Sequence, residues 1–409
     1  DWDEAYREAI PRVLAAESTL DYYRELQIFT ALLEDGHSRI AFPDSIIQRR
    51  PFSSPWVALE DVGGQALVVN VATDLADSIP IGSEVLEVEG VTVDEYIGQR
   101  VLPYVYHSAA HKRRATAIEG SHTRGYGLLV GPAGTRVRIT ASLPSGSIVH
   151  LTLVRDRFSA SRDWVRDTYG DGEPLLKLEW LEKDIAYLAM NSFADGRIVQ
   201  QLDSLLPQLR GAEGVVVDLR GNGGGNDVIA AAVLARFTDQ SLVGTGWRAR
   251  THDAYLRALG SFGKSALERA LPPEDSALVA QALSDHSGDA WRLEEPDTVR
   301  PAFEGQRISS RVVVLAGGGT ASAAENLLVR LPQGDRFVII GSPTAASTGQ
   351  PLIFPLPGGG MGQVVTRAVL FPDGTPLVKT GVVPDILVQP SIEDVRLGRD
   401  PVLARAVQE

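Results

Sequence analysis

Apolar residues recur at helical spacing at the start of the chain. They stand three or four positions apart in two runs, Trp2 to Leu14 and Leu26 to Leu33. The second run stops at Glu34-Asp35-Gly36-His37, where Gly36 suits the end of a helix. The sequence therefore predicts an N-terminal helical segment over residues 1–50, with His37 in the turn after the second helix.

Short β-like runs separated by Gly and Pro follow over residues 51–158. They read QALVVNVA, SEVLEVEGVTV, TRVRITASL and SIVHLTLVR. Within them, residues 81–90 (IGSEVLEVEG) resemble the strand and turn of a PDZ-like module. We therefore expect a PDZ-like domain at 51–158, interrupted by an insertion at residues 101–125 that matches no standard element of such a module.

Strands and helices alternate from Leu175 onwards, which favours an α/β core over residues 159–409. The predicted strands DIAYLAM, GVVVDLR and RVVVLAGG each lead towards a helix. A more charged insertion interrupts this core at about 248–307. It contains a predicted helix around residues 265–283, and we expect it to cover or border the functional site.

The composition narrows the classes of partner and chemistry. The 52 acidic residues outnumber the 39 basic ones, giving a net charge of -13, which disfavours nucleic acid and anionic membranes as partners. The absence of cysteine excludes thiol catalysis, thiolate zinc sites and disulfides. No apolar run reaches the roughly 18 residues of a membrane span. The chain begins at Asp1, inside a helical pattern, a start that is compatible with a trimmed or mature protein and leaves open whether a targeting segment preceded it.

Ser322, in the stretch GGGTASAAENLL, has two interpretations. The spacing of Ser322 and Glu325 is that of a capping box, in which each side chain bonds the backbone N–H of the other. A serine at the start of a helix is also a candidate nucleophile. These residues alone favour the cap.

The stretch VVVDLRGNGGGN, residues 215–226, joins a predicted strand to a helix through a glycine-rich loop. A dinucleotide fingerprint needs Gly or Ala where Asn226 stands, so that interpretation is disfavoured. A phosphate loop around Lys264 lacks its first glycine. Two interpretations stay open: a tight structural turn, and an oxyanion hole built from backbone N–H groups.

Three motifs in order resemble one family, the C-terminal processing, or tail-specific, serine proteases and their tricorn-core relatives. They are DLRGNGGG at residues 218–225, TASAAE at 320–325 and GVVPDI at 381–386. The resemblance implies a crotonase-like (ClpP/crotonase-type) α/β core with the helical segment and PDZ-like module before it. It also implies Ser322 as nucleophile, an oxyanion hole formed by Ala323 and Gly224 with Gly223 as the alternative donor, and neither cofactor nor metal.

The family activates its serine in one of two ways. One branch uses a lysine, but Ser347 stands at that position here. The other uses a histidine in a "D-x-H-[ST]" stretch, which Asp35-Gly36-His37-Ser38 matches, so the resemblance implies His37 as the general base. The residue that orients His37 is left open among Asp35, Ser347 and Asp373, since the serine and late glutamate of the tricorn-like tetrad are missing.

The 101–125 insertion contains three histidines that are candidate metal ligands: His107, His111 and His122. Few carboxylates lie near them in the sequence, so we interpret them as solvated loop residues.

The sequence thus predicts a serine peptidase that cleaves unfolded or C-terminal peptide segments through an acyl-enzyme. Two alternatives use the same fold: a non-catalytic protein that binds a peptide or an apolar ligand, and an esterase with the same Ser/His pair. The expected partners are peptides or unfolded proteins. An extracytoplasmic location, periplasmic or secreted, follows from family habit.

Overall fold

The chain forms two units, each built from three separate segments of the sequence. The computed structural model describes residues 1–107, 109–166, 174–250, 291–299, 302–332 and 334–409. The first unit comprises Asp1–Gly170, Phe354–Gln363 and Pro390–Asp400, and the second comprises Asp171–Ile353, Val364–Gln389 and Pro401–Glu409. The helix predicted around residues 265–283, and much of the predicted insertion at 248–307, lie outside the described residues.

Two helices, α1 (Trp2–Leu14) and α2 (Thr19–Ala31), begin the first unit, which confirms the predicted helical start. The predicted end of the second helix is wrong. Three successive N–H groups, from Leu32 to Glu34, bond the carbonyl three residues back, so the helix tightens and ends at Ala31. Glu34, rather than Gly36, then takes the left-handed conformation, with φ of 46°.

An antiparallel sheet follows, and it confirms the predicted β-like runs. Its order is β3-β4-β5-β8-β9, with β6 paired to β5. Residues alternate between the two faces, so that β8 buries Val137, Ile139 and Ala141 while Arg136 and Arg138 are exposed. The strands of this sheet are β3 (Val57–Val62), β4 (Gln65–Val71), β5 (Glu84–Val88), β6 (Val91–Thr92), β8 (Arg136–Ser142) and β9 (Ile148–Val154).

Short elements complete the first unit, which includes residues 354–355 of β19 and 361–363 of β20. The predicted insertion at 101–125 contains the helix α5, and β1 pairs with residues 361–363 of β20. These elements are β1 (Arg39–Ala41), α3 (Asp44–Ile47), β2 (Phe52–Ser53), α4 (Val93–Tyr96), α5 (Ala110–Glu119), β7 (Gly131–Pro132), β19 (Pro351–Pro355), β20 (Met361–Val365) and α9 (Ile392–Leu397).

A six-stranded sheet of order β10-β11-β12-β17-β18-β22 organises the second unit. β10 is antiparallel to β11, and the other neighbours are parallel. This alternation of strands and helices confirms the α/β prediction at the level of a mixed fold. The strands are β10 (Leu176–Trp180), β11 (Ile185–Met190), β12 (Gly214–Asp218), β17 (Arg311–Ala316), β18 (Phe337–Gly341) and β22 (Ile386–Leu387).

Helices cover both faces of this sheet, which explains why its strands are continuous apolar runs. Val215 and Val217 of β12 belong to the core on one face with α6, α7 and α8, whereas Val216 packs in the cluster that includes α10 on the other. The helices are α6 (Arg197–Leu209), α7 (Asp227–Leu234), α8 (Ala323–Val329) and α10 (Pro401–Ala406). The remaining strands are β13 (Leu242–Val243), β14 (Gly246–Arg250), β15 (Trp291–Glu294), β16 (Thr298–Val299) and β21 (Ala368–Leu370).

Candidate active site

Three loops leave the same edge of the second unit's sheet, because β12, β17 and β18 are parallel. They are the glycine-rich loop at 219–226, the stretch 317–322 before α8, and the stretch 342–348. Hydrogen bonds join them: the Thr320 hydroxyl donates to the carbonyl of Leu219 at 2.8 Å, and the N–H of Ala345 donates to the carbonyl of Thr320 at 2.9 Å. Two of the three sequence motifs, at residues 218–225 and 320–325, therefore meet at this edge. The third motif, at 381–386, bonds the 342–348 stretch, because the Val382 N–H donates to the Thr344 hydroxyl at 2.8 Å.

Ser322 caps α8, yet its backbone is unlike that of an ordinary cap. The carboxylate of Glu325 accepts from the Ser322 N–H at 3.0 Å, as the predicted capping box requires. Caps normally have extended backbone, whereas Ser322 has φ of 57° and ψ of -122°. Such backbone costs about 1–3 kcal/mol and concentrates at functional sites. The side chain is only partly buried, so a ligand can reach it.

The glycine-rich loop lies directly against the backbone of this serine. A Cβ added at Gly224 would stand 2.7 Å from the Ser322 Cβ and 2.9 Å from the Ala323 nitrogen. Gly224 also has φ of 96°, where side chains are strained. Glycine is needed here both for conformation and for close approach.

Asn222 decides which N–H groups of this loop are available. It is fully buried; its amide donates to the carbonyl of Met190 at 2.9 Å, and its side-chain oxygen accepts from the Gly224 N–H at 2.9 Å. The Gly224 N–H, a predicted oxyanion-hole donor, is therefore already hydrogen-bonded to Asn222. Among the described residues, the N–H groups of Gly223 and Ala323 have no acceptor.

The Asp218 and Arg220 of the glycine-rich motif form an ion pair where β12 ends. The Arg220 side chain contacts both oxygens of Asp218 at 2.7–3.1 Å, and its backbone N–H bonds the same carboxylate at 2.9 Å. The Tyr187 hydroxyl adds a bond of 2.7 Å. These contacts fix the start of the loop, so the charged pair has a structural function here.

Glu325 joins the start of α8 to the 342–348 stretch. One oxygen accepts from the Thr344 hydroxyl and from the Ala346 N–H at 2.9 Å; the other accepts from the N–H groups of Ser347 at 3.1 Å and Ser322 at 3.0 Å. Its side chain is fully buried. Burial raises the pKa of Glu325 to about 7, while the bonds from Thr344, Ser347, Ser322 and Ala346 oppose the rise. The sequence indicated only a capping partner; the contacts with the 342–348 stretch were missed because they join residues far apart in the chain.

Ser347, at the position of the other branch's lysine, touches Ser322 through its backbone. Its carbonyl accepts from the Ser322 N–H at 2.9 Å, and the residue is buried. Asp373 is exposed and accepts from the N–H and hydroxyl of Thr375 within its own turn. Neither observation assigns an orienting group to His37.

In the first unit, His37 lies in the turn between α2 and β1, as predicted. Its N–H donates to Asp35 at 2.9 Å, and its carbonyl accepts from the Gln363 amide at 2.6 Å. Burial, and secondarily the charge of Arg39, lowers the pKa of His37 to about 4. Asp35 is buried, which raises its pKa against bonds from Ser38 and the His37 backbone. Asp35 thus holds the backbone of the turn.

A family model described as peptidase family S41 matches residues 184–388, half of the chain. The chain belongs to peptidase family S41. A carboxyl-terminal-processing protease of Picosynechococcus is 24% identical to this chain over 380 residues, covering 90% of this chain and 72% of the relative. A carboxy-terminal-processing protease of Bartonella bacilliformis is 30% identical over 95 residues, covering 23% of this chain and 22% of the relative.

Among solved structures, mature CPAF complexed with lactacystin matches this chain with a TM-score of 0.71. The identity is 17%, and the match covers 97% of this chain and 90% of that one, so the likeness shows a shared fold. These findings confirm the predicted family and the prediction of a serine peptidase. The roles of Ser322, His37, Gly224 and Ala323 stay predictions.

The predicted solvation of the insertion's histidines is wrong for two of the three in this peptidase. His111 is exposed on α5, but His107 and His122 are partly buried. Burial is the main cause that lowers the pKa of His107 to about 3 and that of His122 to about 4. The His107 ring lies against Tyr106, and the His122 ring lies against Phe158 and bonds the Ser54 hydroxyl; the last two partners are distant in the sequence, which is why the burial of His122 was not predicted. Over the described residues, no three His, Asp or Glu side chains are grouped to hold a metal ion, and no helix is long and apolar enough to cross a membrane.

Proposed function

We propose that the chain hydrolyses peptide bonds through an acyl-enzyme formed on Ser322. The observation that carries the proposal is the strained Ser322 backbone at the start of α8, beside a loop whose Gly224 touches it. A cap alone needs neither the strain nor the contact. A sharp turn that exposes the hydroxyl is how other hydrolase folds present a nucleophilic serine.

The attacked carbonyl oxygen becomes negatively charged and needs hydrogen-bond donors. We assign the N–H groups of Ala323 and Gly223 to this oxyanion hole, because both lack acceptors among the described residues while that of Gly224 is bonded to Asn222. The N–H beside a nucleophile is a usual donor in serine hydrolases. Gly224 then contributes by leaving room for the Ser322 backbone, whereas Gly223 contributes its N–H as a hydrogen-bond donor.

We assign His37 as the general base. The "D-x-H-[ST]" motif supports the assignment, and bonds from Asp35 and Gln363 hold its backbone on both sides. With a pKa of about 4 its imidazole is neutral at pH 7 and can accept a proton. His37 takes the proton of the Ser322 hydroxyl as oxygen attacks the carbonyl, and returns it to the amine that leaves. Water then attacks the acyl-enzyme while His37 takes its proton. His37 returns that proton to Ser322 as the acid product leaves.

Unfolded or C-terminal peptide segments are the proposed substrates, because the relatives are named for carboxyl-terminal processing. The five-stranded antiparallel sheet with β6, α4 and α5 supports a PDZ-like module at 51–158. The repeated strand-helix pairs around β11, β12 and β17 support a crotonase-like core. An extracytoplasmic location is proposed from the family resemblance alone, and fractionation of cells would test it.

Hydrolysis of a disordered protein, and of a matched pair of peptide amide and ester, tests the proposal. Ser322→Ala and His37→Ala should each lower kcat/KM on the amide by about a thousandfold or more. Ser145→Ala, in an exposed turn, is the matched control. Ester cleavage without amide cleavage would instead indicate an esterase. Full activity of Ser322→Ala would contradict the mechanism, and tight peptide binding without any turnover would favour the non-catalytic alternative.

A further inference from the structure

β9 forms one edge of the first unit's sheet, where among the described residues it pairs with β8 alone. Just beyond one end of this pairing, the Arg155 N–H donates to the Thr135 carbonyl at 2.9 Å. Beyond the other end, the Leu143 N–H donates to the Ser147 carbonyl at 2.8 Å. Because backbone groups alternate in direction along a strand, the odd-numbered residues of β9 bond β8 and the even-numbered ones point outwards. The outward N–H and C=O groups, which have no partner among the described residues, belong to Ile148, His150, Thr152 and Val154.

β9 lacks the features that usually keep an edge strand from pairing with another chain. Its sequence, IVHLTLV, contains no charged residue, proline or glycine, and its pairing with β8 has no bulge. Two other edges of the described sheets differ. β3, at the opposite edge of the same sheet, carries Glu60 and Asp61 and packs against α5, and β10, in the second unit, carries Lys177 and Glu179. The edge of β9, about 23 Å long, is therefore open to a further strand.

The order of residues in β9 suits pairing with a second copy of the same strand. An antiparallel pair centred on Leu151 uses the whole strand and sets the outward backbone groups of each copy opposite those of the other. Ile148 and Val154, 53% and 38% exposed, then face each other across the pair, and His150 faces Thr152. Apolar side chains therefore meet apolar ones, and polar side chains meet polar ones. A shift by two residues would use less of the strand and would set Ile148 against Thr152.

The other face of such a pair would be apolar as well. Leu151 would meet its own copy and Val149 would meet Leu153, and all three side chains belong to the sheet's apolar core or pack against it. β9 carries no charge, so the pairing sets no like charges opposite each other, although each copy has a net charge of -13. The exposed Arg136 and Arg138 stand on β8, one strand behind the edge. The strand therefore has no element that opposes self-pairing.

We propose that two copies of this chain associate through β9, paired antiparallel about Leu151, so that one sheet continues through both. The outward backbone groups would bond each other, and the surfaces of Ile148 and Val154 would leave contact with water. Because the contact is only one strand wide, it covers less than the roughly 800 Å² per partner of a stable interface. We therefore expect a dimer that forms at tens of micromolar. This association does not depend on the reactivity of Ser322.

Sedimentation velocity of the full chain carrying Ser322→Ala, from about 1 to 200 μM in about 0.15 M salt, tests the proposal. The protein should be monomeric at the low end and largely dimeric at the high end. Thr152→Pro removes an outward N–H without breaking a bond to β8, so it should raise the dissociation constant at least about tenfold. Thr152→Ala, which retains that N–H, should leave the dimer. Circular dichroism checks that each variant is folded.

A second pair of variants tests the register. Ile148→Lys and Val154→Glu should each weaken self-association, because a charge would face an apolar side chain. Mixing the two variants should restore a dimer, since the new lysine of one chain would face the new glutamate of the other. The two positions stand six residues apart on one strand, roughly 20 Å, so they cannot pair within one chain.

A chain that stays monomeric at about 200 μM would overturn the proposal. A dimer that survives Thr152→Pro would also overturn it, because the copies would then meet elsewhere. If Thr152→Pro does not fold, Ile148→Lys decides this point, since its side chain is exposed. A dimer that is lost in the single variants but not restored in their mixture would overturn the register about Leu151.

Discussion

Ser322 is held in a strained conformation by bonds on one side and by close packing on the other. Its N–H is accepted by Glu325 at 3.0 Å and by the carbonyl of Ser347 at 2.9 Å. Gly224 fills the opposite side, where a Cβ would stand 2.6 Å from the carbonyl oxygen of Ala321. The geometry of the serine therefore depends on a few individual residues, which substitutions can test one at a time.

Gly224→Ala should displace Ser322 and lower kcat/KM by about a hundredfold or more, because its Cβ would overlap the serine backbone. The strained φ of 96° should also reduce the free energy of unfolding by more than about 1 kcal/mol. Gly64→Ala is the matched control, since Gly64 has a similarly positive φ of 84° but no atom lies within 4 Å of its added Cβ, so it should lose stability without losing activity. Urea unfolding and peptide hydrolysis measure both effects; an equal loss of kcat/KM in the two variants would contradict the role assigned to Gly224.

Glu325→Gln replaces one of two oxygens that each accept two hydrogen bonds. The new amide group would face two donors, so we expect a loss of roughly 2–4 kcal/mol in the free energy of unfolding. Activity should fall as well, because the Ser322 N–H loses a partner. Glu393→Gln, on the exposed first turn of α9, is the control and should change neither quantity. Unchanged stability of Glu325→Gln would show that the buried carboxyl does not hold these loops together.

The roles of individual residues could be predicted only in part. The pattern Ser-x-x-Glu indicated the bond between Glu325 and the Ser322 N–H, and glycine at 224 indicated a close backbone approach. The bond from Gly224 to Asn222 was not predicted, because the order of residues does not say which N–H a side-chain oxygen takes.

At the scale of elements, the end of β12 determines where the glycine-rich loop starts. The guanidinium group of Arg220 donates two hydrogen bonds to the Asp218 carboxylate there, and the Tyr187 hydroxyl of the neighbouring β11 donates a third. Arg220→Lys retains the charge but loses the planar fork. We expect a loss of about 1–3 kcal/mol in unfolding free energy and a moderate loss of activity as the loop shifts.

Arg197 offers a matched control for this prediction. It contacts Asp195 with the same sequence spacing and the same combination of backbone and side-chain bonds, but on the exposed surface. Arg197→Lys should therefore leave stability and activity unchanged, since exposed ion pairs contribute little. Thermal unfolding of both variants gives the comparison. Equal effects would show that burial of the Asp218 pair does not matter to the loop.

Whether an element exists was easier to predict than where it ends. The apolar runs of β12 and β17 are long and continuous, and they form strands covered by helices on both faces. The end of α2 and the helix α5 were not predicted correctly. Three successive N–H groups that bond the carbonyl three residues back end α2 early, and α5 lies in a stretch whose charged sequence is weakly periodic.

At the scale of the whole molecule, the pH dependence of activity should reflect the low pKa of His37, about 4. Protonation removes the base, so a lowered pKa keeps the enzyme active to a lower pH than an ordinary histidine allows. We expect the acid limb of kcat/KM near pH 4. A limb near pH 6.5 in folded protein would show that His37 is not the base, or that its burial differs during catalysis.

Folding must be followed across the same pH range. His107 and His122 also have lowered pKa values, about 3 and about 4, so their neutral forms are favoured in the folded chain. The stability they contribute is present above pH 6.5 and is lost as the pH falls from there towards 4. Circular dichroism at each pH separates this loss of structure from protonation of the base.

The most direct test of the central claim is labelling of the purified chain with a fluorophosphonate, followed by peptide mapping. The account predicts one phosphonate on Ser322, and slow or absent labelling when His37→Ala removes the base. Ser145→Ala, in an exposed turn, should retain labelling at Ser322. Well-folded protein in which Ser322 stays unlabelled, while disordered proteins are still cleaved, would contradict the account and leave Ser322 as the cap of α8.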